Sequence, residues 1–327
     1  MNRKALAFLF AILIAFPFFS KGSGREFASD IMIFSILAIG LYVQIGLIGM
    51  INFGFSAFFG LGAYIGAITM MKFSSSLFVS LAITMLVVMA VAALFGALAI
   101  RTRETAFSIL TLTFSQLLFV LAVADEKWTQ GVNGISGVPR PTLPSWISEP
   151  TGFTFDSDTG FYLLVLCVLT AVAFLVQVLR RSRLGAVLEG IRENEERMAV
   201  LGYSVQRYKL AAFVMSASIG AIAGYFNAAL LGYAGPTSLF WTVSGETILM
   251  VTLGGATTIM GPVVGAIVFI GLSHVAVEYT DHWRLFVGIT FILVILYAPK
   301  GIVPIYQDAL KRWRPGYLGK PKHGETS

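Results

Sequence analysis

KLAAFVMSASIGAIAGYFNAALLG, residues 209–232, reads as a membrane-crossing helix with small residues along one face. The run exceeds the roughly 20 apolar residues that a bilayer crossing needs. Its only charge is Lys209, at the edge. Ser216, Gly220 and Gly224 recur at every fourth position, so they share a helix face on which another backbone can approach closely. Runs of similar apolarity lie on both sides, at 5–20, 31–51, 53–71, 77–99, 105–123, 161–179, 244–260, 261–278 and 285–298.

The composition agrees. Apolar residues make up 57% of the chain and charged residues only 12%, with a mean hydropathy of +0.81. A soluble domain carries about 25% charged residues, so too little polar surface remains here to face water. The expectation is an all-α polytopic transmembrane helical bundle of about ten membrane-inserted segments. It forms a single domain over 1–310, with a flexible tail at 311–327.

The net charge of +6 sits in loops rather than along a groove, which argues against nucleic acid. Arg3 and Lys4 precede the first segment, and Arg101 and Arg103 follow the fourth. A loop at 180–208 and the tail hold most of the remaining basic residues. About ten crossings put all four clusters, and both termini, on the cytoplasmic side. The loop at 124–160 then lies outside. It is acidic and rich in Gly and Pro, with Trp128 and Trp146 suited to the interface. The weak points are 53–71 and 244–278, where short Gly-rich segments fit re-entrant hairpins and losing a pair keeps the parity. Segment 5–20 also fits a signal peptide, but no Ala-x-Ala site follows it, so retention is expected.

Glycines at small-residue spacing predict helix packing at Gly60, Gly62, Gly66, Gly220, Gly224, Gly261 and Gly265. Gly254, Gly255, Gly261 and Pro262 interrupt an apolar stretch of double length. Two readings fit them, a tight turn between spans or unwound backbone around a substrate site. Polar residues inside spans are candidates for a substrate pathway: Gln44, Asn52, Ser56, Gln116, Asn227 and Glu246. Amides there also fit simple hydrogen bonding between helices, and Glu246 fits an interfacial helix start.

In the cytoplasmic loop, Leu184, Val187, Leu188, Ile191 and Met198 mark one helical face. Glu189 with Arg192, Arg192 with Glu196, and Glu193 with Arg197 stand at the spacing of helical ion pairs. Gly202 suits a helix stop and Ser204 the next cap. The loop therefore predicts an amphipathic helix, lying in the headgroups or docking into a partner's groove.

No phosphate-binding G-x-x-x-x-G-K-[ST] pattern occurs, nor HExxH, nor G-x-S-x-G. Cys167 is the only cysteine, and His274, His282 and His323 lack ligand spacing. No enzyme, metal site or bound cofactor is expected.

Several stretches together resemble the permease family of branched-chain amino acid ABC importers. They are GLIGMINFGFSAFFGLGAYIGA (46–67), GAVLEGIRENEERMAVLG (185–202), RYKLAAFVMSASIGAIAGYFNAALLGYAGP (207–236) and SGETILMVTLGGATTIMGPVVGA (244–266). TLTFSQ (111–116) and TQGVNGISGVPRP (129–141) add weaker matches.

The resemblance implies a type II-like importer subunit in the bacterial inner membrane. It implies a homologous second permease, two cytoplasmic ABC ATPase subunits that use ATP, and a periplasmic substrate-binding protein. Glu189, Arg192, Glu193, Asn194, Glu195 and Gly202 become the expected ATPase-coupling residues, on a helix over 184–201. The family commonly has a glycine and an aromatic residue near Glu104 and Ala106, and a glycine pair where this chain reads TQG. Relatives carry urea, short amides and other amino acids, so short amides remain an alternative substrate. An ion-coupled secondary transporter is a second alternative, and it needs an intramembrane ionisable pair.

Overall fold

The structure is a computed structural model that describes residues 22–143, 155, 157–279, 285, 288–289, 292, 296 and 301–304. The segment 5–20, most of 285–298, Trp146, the tail and both terminal basic clusters lie outside the described residues.

Ten helices order the described chain: α1 (Gly22–Tyr42), α2 (Ser56–Lys72), α3 (Leu77–Ala99), α4 (Glu104–Ala124), α5 (Asp158–Arg181), α6 (Arg183–Glu193), α7 (Glu195–Val200), α8 (Val205–Leu231), α9 (Trp241–Gly254) and α10 (Met260–Tyr279). A π-helical turn, Val43–Ile48, extends α1. Among the described residues, six helices are long and apolar enough to cross a membrane: α1 with its π turn, α3, α4, α5, α8 and α10.

Helix α1 starts nine residues earlier than the apolar run at 31–51 indicates and takes in Arg25, Glu26 and Asp30. Helices α2 and α9, at 17 and 14 residues, fall short of the six but pack among them in the bundle. At 1.5 Å per residue α9 is only about 21 Å long, against a core of about 30 Å. It therefore completes a crossing only together with the chain before it, which includes a short 3-10 turn at Pro236–Leu239. The break at Gly254–Pro262 is a tight turn between α9 and α10, with Gly255 at φ 105°.

Helix α8 lies at the centre, packed on α1, α2 and α3. Small residues permit this. A Cβ at Gly224 would run into the Phe59 carbonyl, and one at Gly62 into the Ala221 carbonyl. Gly60 faces Leu239, Gly66 faces the Tyr225 ring, and Gly220 faces Phe55. Gly254, Gly261 and Gly265 bring the backbones of α9 and α10 together, with Gly255 in the same contact. Aromatic rings fill the rest of the core. Phe95 stacks on Phe114 at 3.8 Å between centroids, and Phe58 meets Phe213 edge-on at 5.4 Å.

The bundle has two distinct ends. Arg101, Arg103 and α6–α7 share one: Gly96, near the end of α3, packs on Leu210 and Phe213 near the start of α8. Chain 125–143 closes the other. There β1 (Ile135–Ser136) pairs antiparallel with β2 (Tyr233–Ala234), Ser76 bridges to Thr142, and Lys72 Nζ lies 4.4 Å from the centre of the Trp128 ring.

Candidate functional site

Polar groups and unwound backbone meet halfway along the bundle. After α8 the chain turns at Gly232, at φ 62°, and forms β2. It then descends between α2 and α4 through a single 3-10 turn, Pro236–Leu239, instead of continuing as an α-helix. Ser115 Oγ donates to the Leu239 carbonyl at 2.6 Å. Ser56 Oγ lies 2.8 Å from Ser115 Oγ and 3.2 Å from the same carbonyl. The Ser56 amide donates to Ser244 Oγ at 2.7 Å. All three serines are fully buried. Ser115 stands midway along α4, so Leu239 lies at mid-depth and α9 begins there. A helix start at this depth presents the positive end of its dipole inside the membrane.

A second unwound stretch, 49–55, joins the π turn to α2. Asn52 Oδ1 accepts the Gly54 amide at 2.8 Å, and Gly54 presses on the Thr111 backbone where a Cβ would collide. Ser108 Oγ donates to the Ile51 carbonyl at 2.8 Å. Asn52 Nδ2 is buried with no hydrogen-bond partner among the described residues. Between this stretch, the first half of α4 and Trp241 runs an open groove of about 450 Å³, lined by Phe53, Thr105, Ser108, Ile109, Leu112 and Trp241.

At the basic end, the expected single helix over 184–201 is two helices. Asn194 is extended, at φ −159°, and its Oδ1 accepts the Arg197 amide at 2.8 Å as the cap of α7. Ser182 caps α6 by accepting the Gly185 amide at 3.2 Å. The break folds α7 back so that Met198 lies against Gly190 of α6, and none of the three expected ion pairs within 189–197 forms. Glu189 instead meets Arg180 at 3.2 Å, and Glu195 meets Lys209 at 2.5 Å. Leu188 and Ile191 are buried, and the Arg192 guanidinium donates to the Gly46 carbonyl in the π turn. Gly202 ends the pair at φ 89°, whereas Ser204 stands at the start of α8 without a side-chain capping bond. Val200 is 88% exposed and Leu201 65%, so the tip of this pair is apolar and open.

The family described as the branched-chain amino acid transport system permease component matches residues 25–295. The chain belongs to this family of membrane permeases. It is 30% identical to the high-affinity branched-chain amino acid transport system permease protein LivM of Escherichia coli K12. That match covers 94% of this chain and 77% of the relative. The LivM protein of Salmonella typhimurium LT2 matches equally, at 30% identity with the same coverage. No solved structure matches. These relatives are named as transport subunits, not enzymes, so the permease is a multi-pass membrane component of a transport system. The matches favour neither the amide nor the ion-coupled alternative.

In the permease, Ser56 and Asn52 flank the start of α2, and Glu246 lies half-buried one turn and a half into α9. Gln44 is apart from them, its Nε2 donating to Ser216 Oγ at 2.9 Å and Ser216 Oγ donating to the Gly40 carbonyl at 2.6 Å. Asn227 lies nearer the loop end, on the turn after Tyr225. Gln116 follows Ser115 and so faces about 100° away from it around α4. Ser115, Ser244 and the descending chain 235–240 were not singled out in the sequence. The signal for the last was the GYAGPTS punctuation after α8, which forbids a continuous helix. Val200 and Leu201 do not stand out when 184–201 is read as a single helix. Asn194 followed by Glu195 and Glu196 is a cap with an acidic first turn, and it marks the second helix.

Proposed function

We propose that this permease imports branched-chain amino acids across the bacterial inner membrane, as half of a pore formed with a second, homologous permease. The basic end faces the cytoplasm, following the Lys and Arg rule, where two ATPase subunits bind and use ATP. A periplasmic binding protein delivers the amino acid at the loop end.

The observation that carries the coupling part is the apolar tip of α6–α7. Val200 and Leu201 are exposed there while Glu189, Arg192 and Glu195 are held by partners within the chain. An exposed apolar tip beside carboxylates suits insertion into a partner's groove. On this reading Glu193 faces the ATPase, and Arg192 and Asn194 shape the helix pair that bears the load. Gly202 frees the chain to turn back into α8.

The substrate path runs past the mid-depth serines. Ser56, Asn52 and Glu246 offer polar contact to a zwitterion, and Gln44, Gln116 and Asn227 line its approaches. The start of α9 favours the carboxylate end by its dipole.

Co-purification of the ATPase with wild type and with a Val200→Asp, Leu201→Asp variant tests the coupling. Loss of bound ATPase from a folded variant is expected. Full retention overturns the docking assignment. Binding-protein-dependent leucine uptake by the reconstituted complex tests the transport assignment separately.

A further inference from the structure

The open groove beside the start of α9 lies on a helix face unlike those around it. Helices α3 and α4 are both largely exposed along their length. On α3 the polar side chains Ser80 and Thr84 are buried. On α4 Thr105 and Thr113 are exposed, and Ser108 stands half open in the groove wall. Thr113 Oγ1 is satisfied by the Ile109 carbonyl at 3.0 Å, so Thr105 and Ser108, both in the groove wall, are what distinguish this face.

The backbone beside the groove gives the second indication. Chain 49–55 is non-helical and Pro236–Leu239 is only a single 3-10 turn, and both lie against α4 within the span. Non-helical backbone at membrane depth is tolerated only where protein buries it or a water-filled cavity meets it. Phe53 and Trp241, each at an edge of one of these stretches, remain 36% and 42% exposed. The groove therefore faces an internal space of the assembled transporter and not acyl chains.

Its lining is selective in character. Phe53, Ile109, Leu112 and Trp241 are apolar, with two hydroxyls, Thr105 and Ser108. Its volume of about 450 Å³ falls within the roughly 300–1,000 Å³ of small-molecule sites, which are mostly apolar with a few placed polar groups. Asn52, the residue before Phe53, is buried and keeps an unsatisfied Nδ2 donor.

Given the import reading, we propose that this groove is a side-chain subsite on the translocation path. It takes the branched aliphatic side chain of the amino acid in transit, while the polar end of the substrate stays at the start of α9, beside Thr105 and Ser108 in the groove wall. The permease thus contributes to substrate discrimination after the binding protein has released its cargo.

The test uses the complete reconstituted complex with its binding protein, saturated in separate runs with leucine and with valine. The readout is the ratio of the two uptake rates. Ile109→Phe fills the groove, and the leucine-to-valine ratio is expected to fall about fivefold, below the full effect of one methylene in a closed pocket. Leu112→Ala enlarges the groove and shifts the ratio toward leucine. This second variant decides the matter if Ile109→Phe does not assemble. A ratio unchanged in both variants, with uptake persisting, overturns the subsite and leaves the groove a packing or lipid surface. Failure of the unmodified complex to take up either amino acid overturns the import reading instead.

Discussion

The guanidinium of Arg192, on α6, donates a hydrogen bond to the carbonyl of Gly46, inside the π turn that extends α1. The approach is close because Gly49 leaves the turn at φ 83°, where a Cβ would stand 3.1 Å from Arg192 Cγ. Gln44 in the same turn reaches Ser216 on the central helix. A push on α6 thus has a continuous route into the core, and π turns inside helices are frequently found at functional sites.

Arg192→Met keeps the aliphatic stem and removes the donors. A hydrogen bond from a charged group contributes about 1.5–3 kcal/mol, so the tie is expected to loosen without unfolding the bundle. Bound ATPase should remain, while uptake per ATP hydrolysed falls about tenfold, in line with that energy. Parallel assays of uptake and phosphate release in proteoliposomes check it. Arg192→Lys should recover part of the loss. A proportional fall in both activities would reduce Arg192 to a merely structural residue.

Asn194 sets the angle between α6 and α7 by capping the second helix. Asn194→Ala should cost about 1 kcal/mol locally, and Asn194→Gly only a few tenths. The readout is hydrogen exchange at 195–198, expected to speed up in Asn194→Ala while the amides of α8 stay protected. Equal acceleration in α8 would mean that the cap supports the whole bundle.

Gly224 and Gly245 are both helical glycines with opposite surroundings. A Cβ on Gly224 meets the Phe59 carbonyl, whereas nothing lies within 4 Å of one on Gly245. Gly224→Ala should therefore destabilise by about 1–3 kcal/mol through overpacking. Gly245→Ala should be neutral or stabilising by up to about 1 kcal/mol, since Gly is costly inside a helix. Thermal unfolding in detergent, run side by side, distinguishes them.

Much of the fold was legible because lipid imposes length and apolarity on every crossing. The runs at 77–99 and 105–123 became α3 and α4 with ends moved by no more than a residue. Small residues at every fourth position, such as Gly220 and Gly224, stand where α8 meets α2. What escaped was set by partners distant in sequence. The Leu239 carbonyl is held by Ser56 and Ser115, more than a hundred residues away, and no local pattern announces that. Asp30 escaped for a different reason: a span counted from its apolar run begins after its charges, but the helix does not. Two of the expected ion pairs, Arg192 with Glu196 and Glu193 with Arg197, require one unbroken helix through Asn194; the third, Glu189 with Arg192, lies within α6 but gives way to Arg180 and the Gly46 carbonyl.

Leu239 offers the sharpest test of the mid-depth site. Its carbonyl has two hydroxyl donors within reach, at 2.6 Å from Ser115 and 3.2 Å from Ser56. Removing either leaves the other in place, so Ser115→Ala or Ser56→Ala alone should cost about 1 kcal/mol. Removing both strands a buried carbonyl, which costs a further 1–3 kcal/mol or so. The double variant is therefore expected to lose about 1 kcal/mol more than the sum of the singles, a coupling typical of residues that share a partner. Denaturation of all four proteins in the same detergent measures it. Strict additivity would mean that water replaces the hydroxyls as readily as either one replaces the other. The 3-10 turn at Leu239 would then already be open to an aqueous path, and the serines would serve the substrate more than the fold.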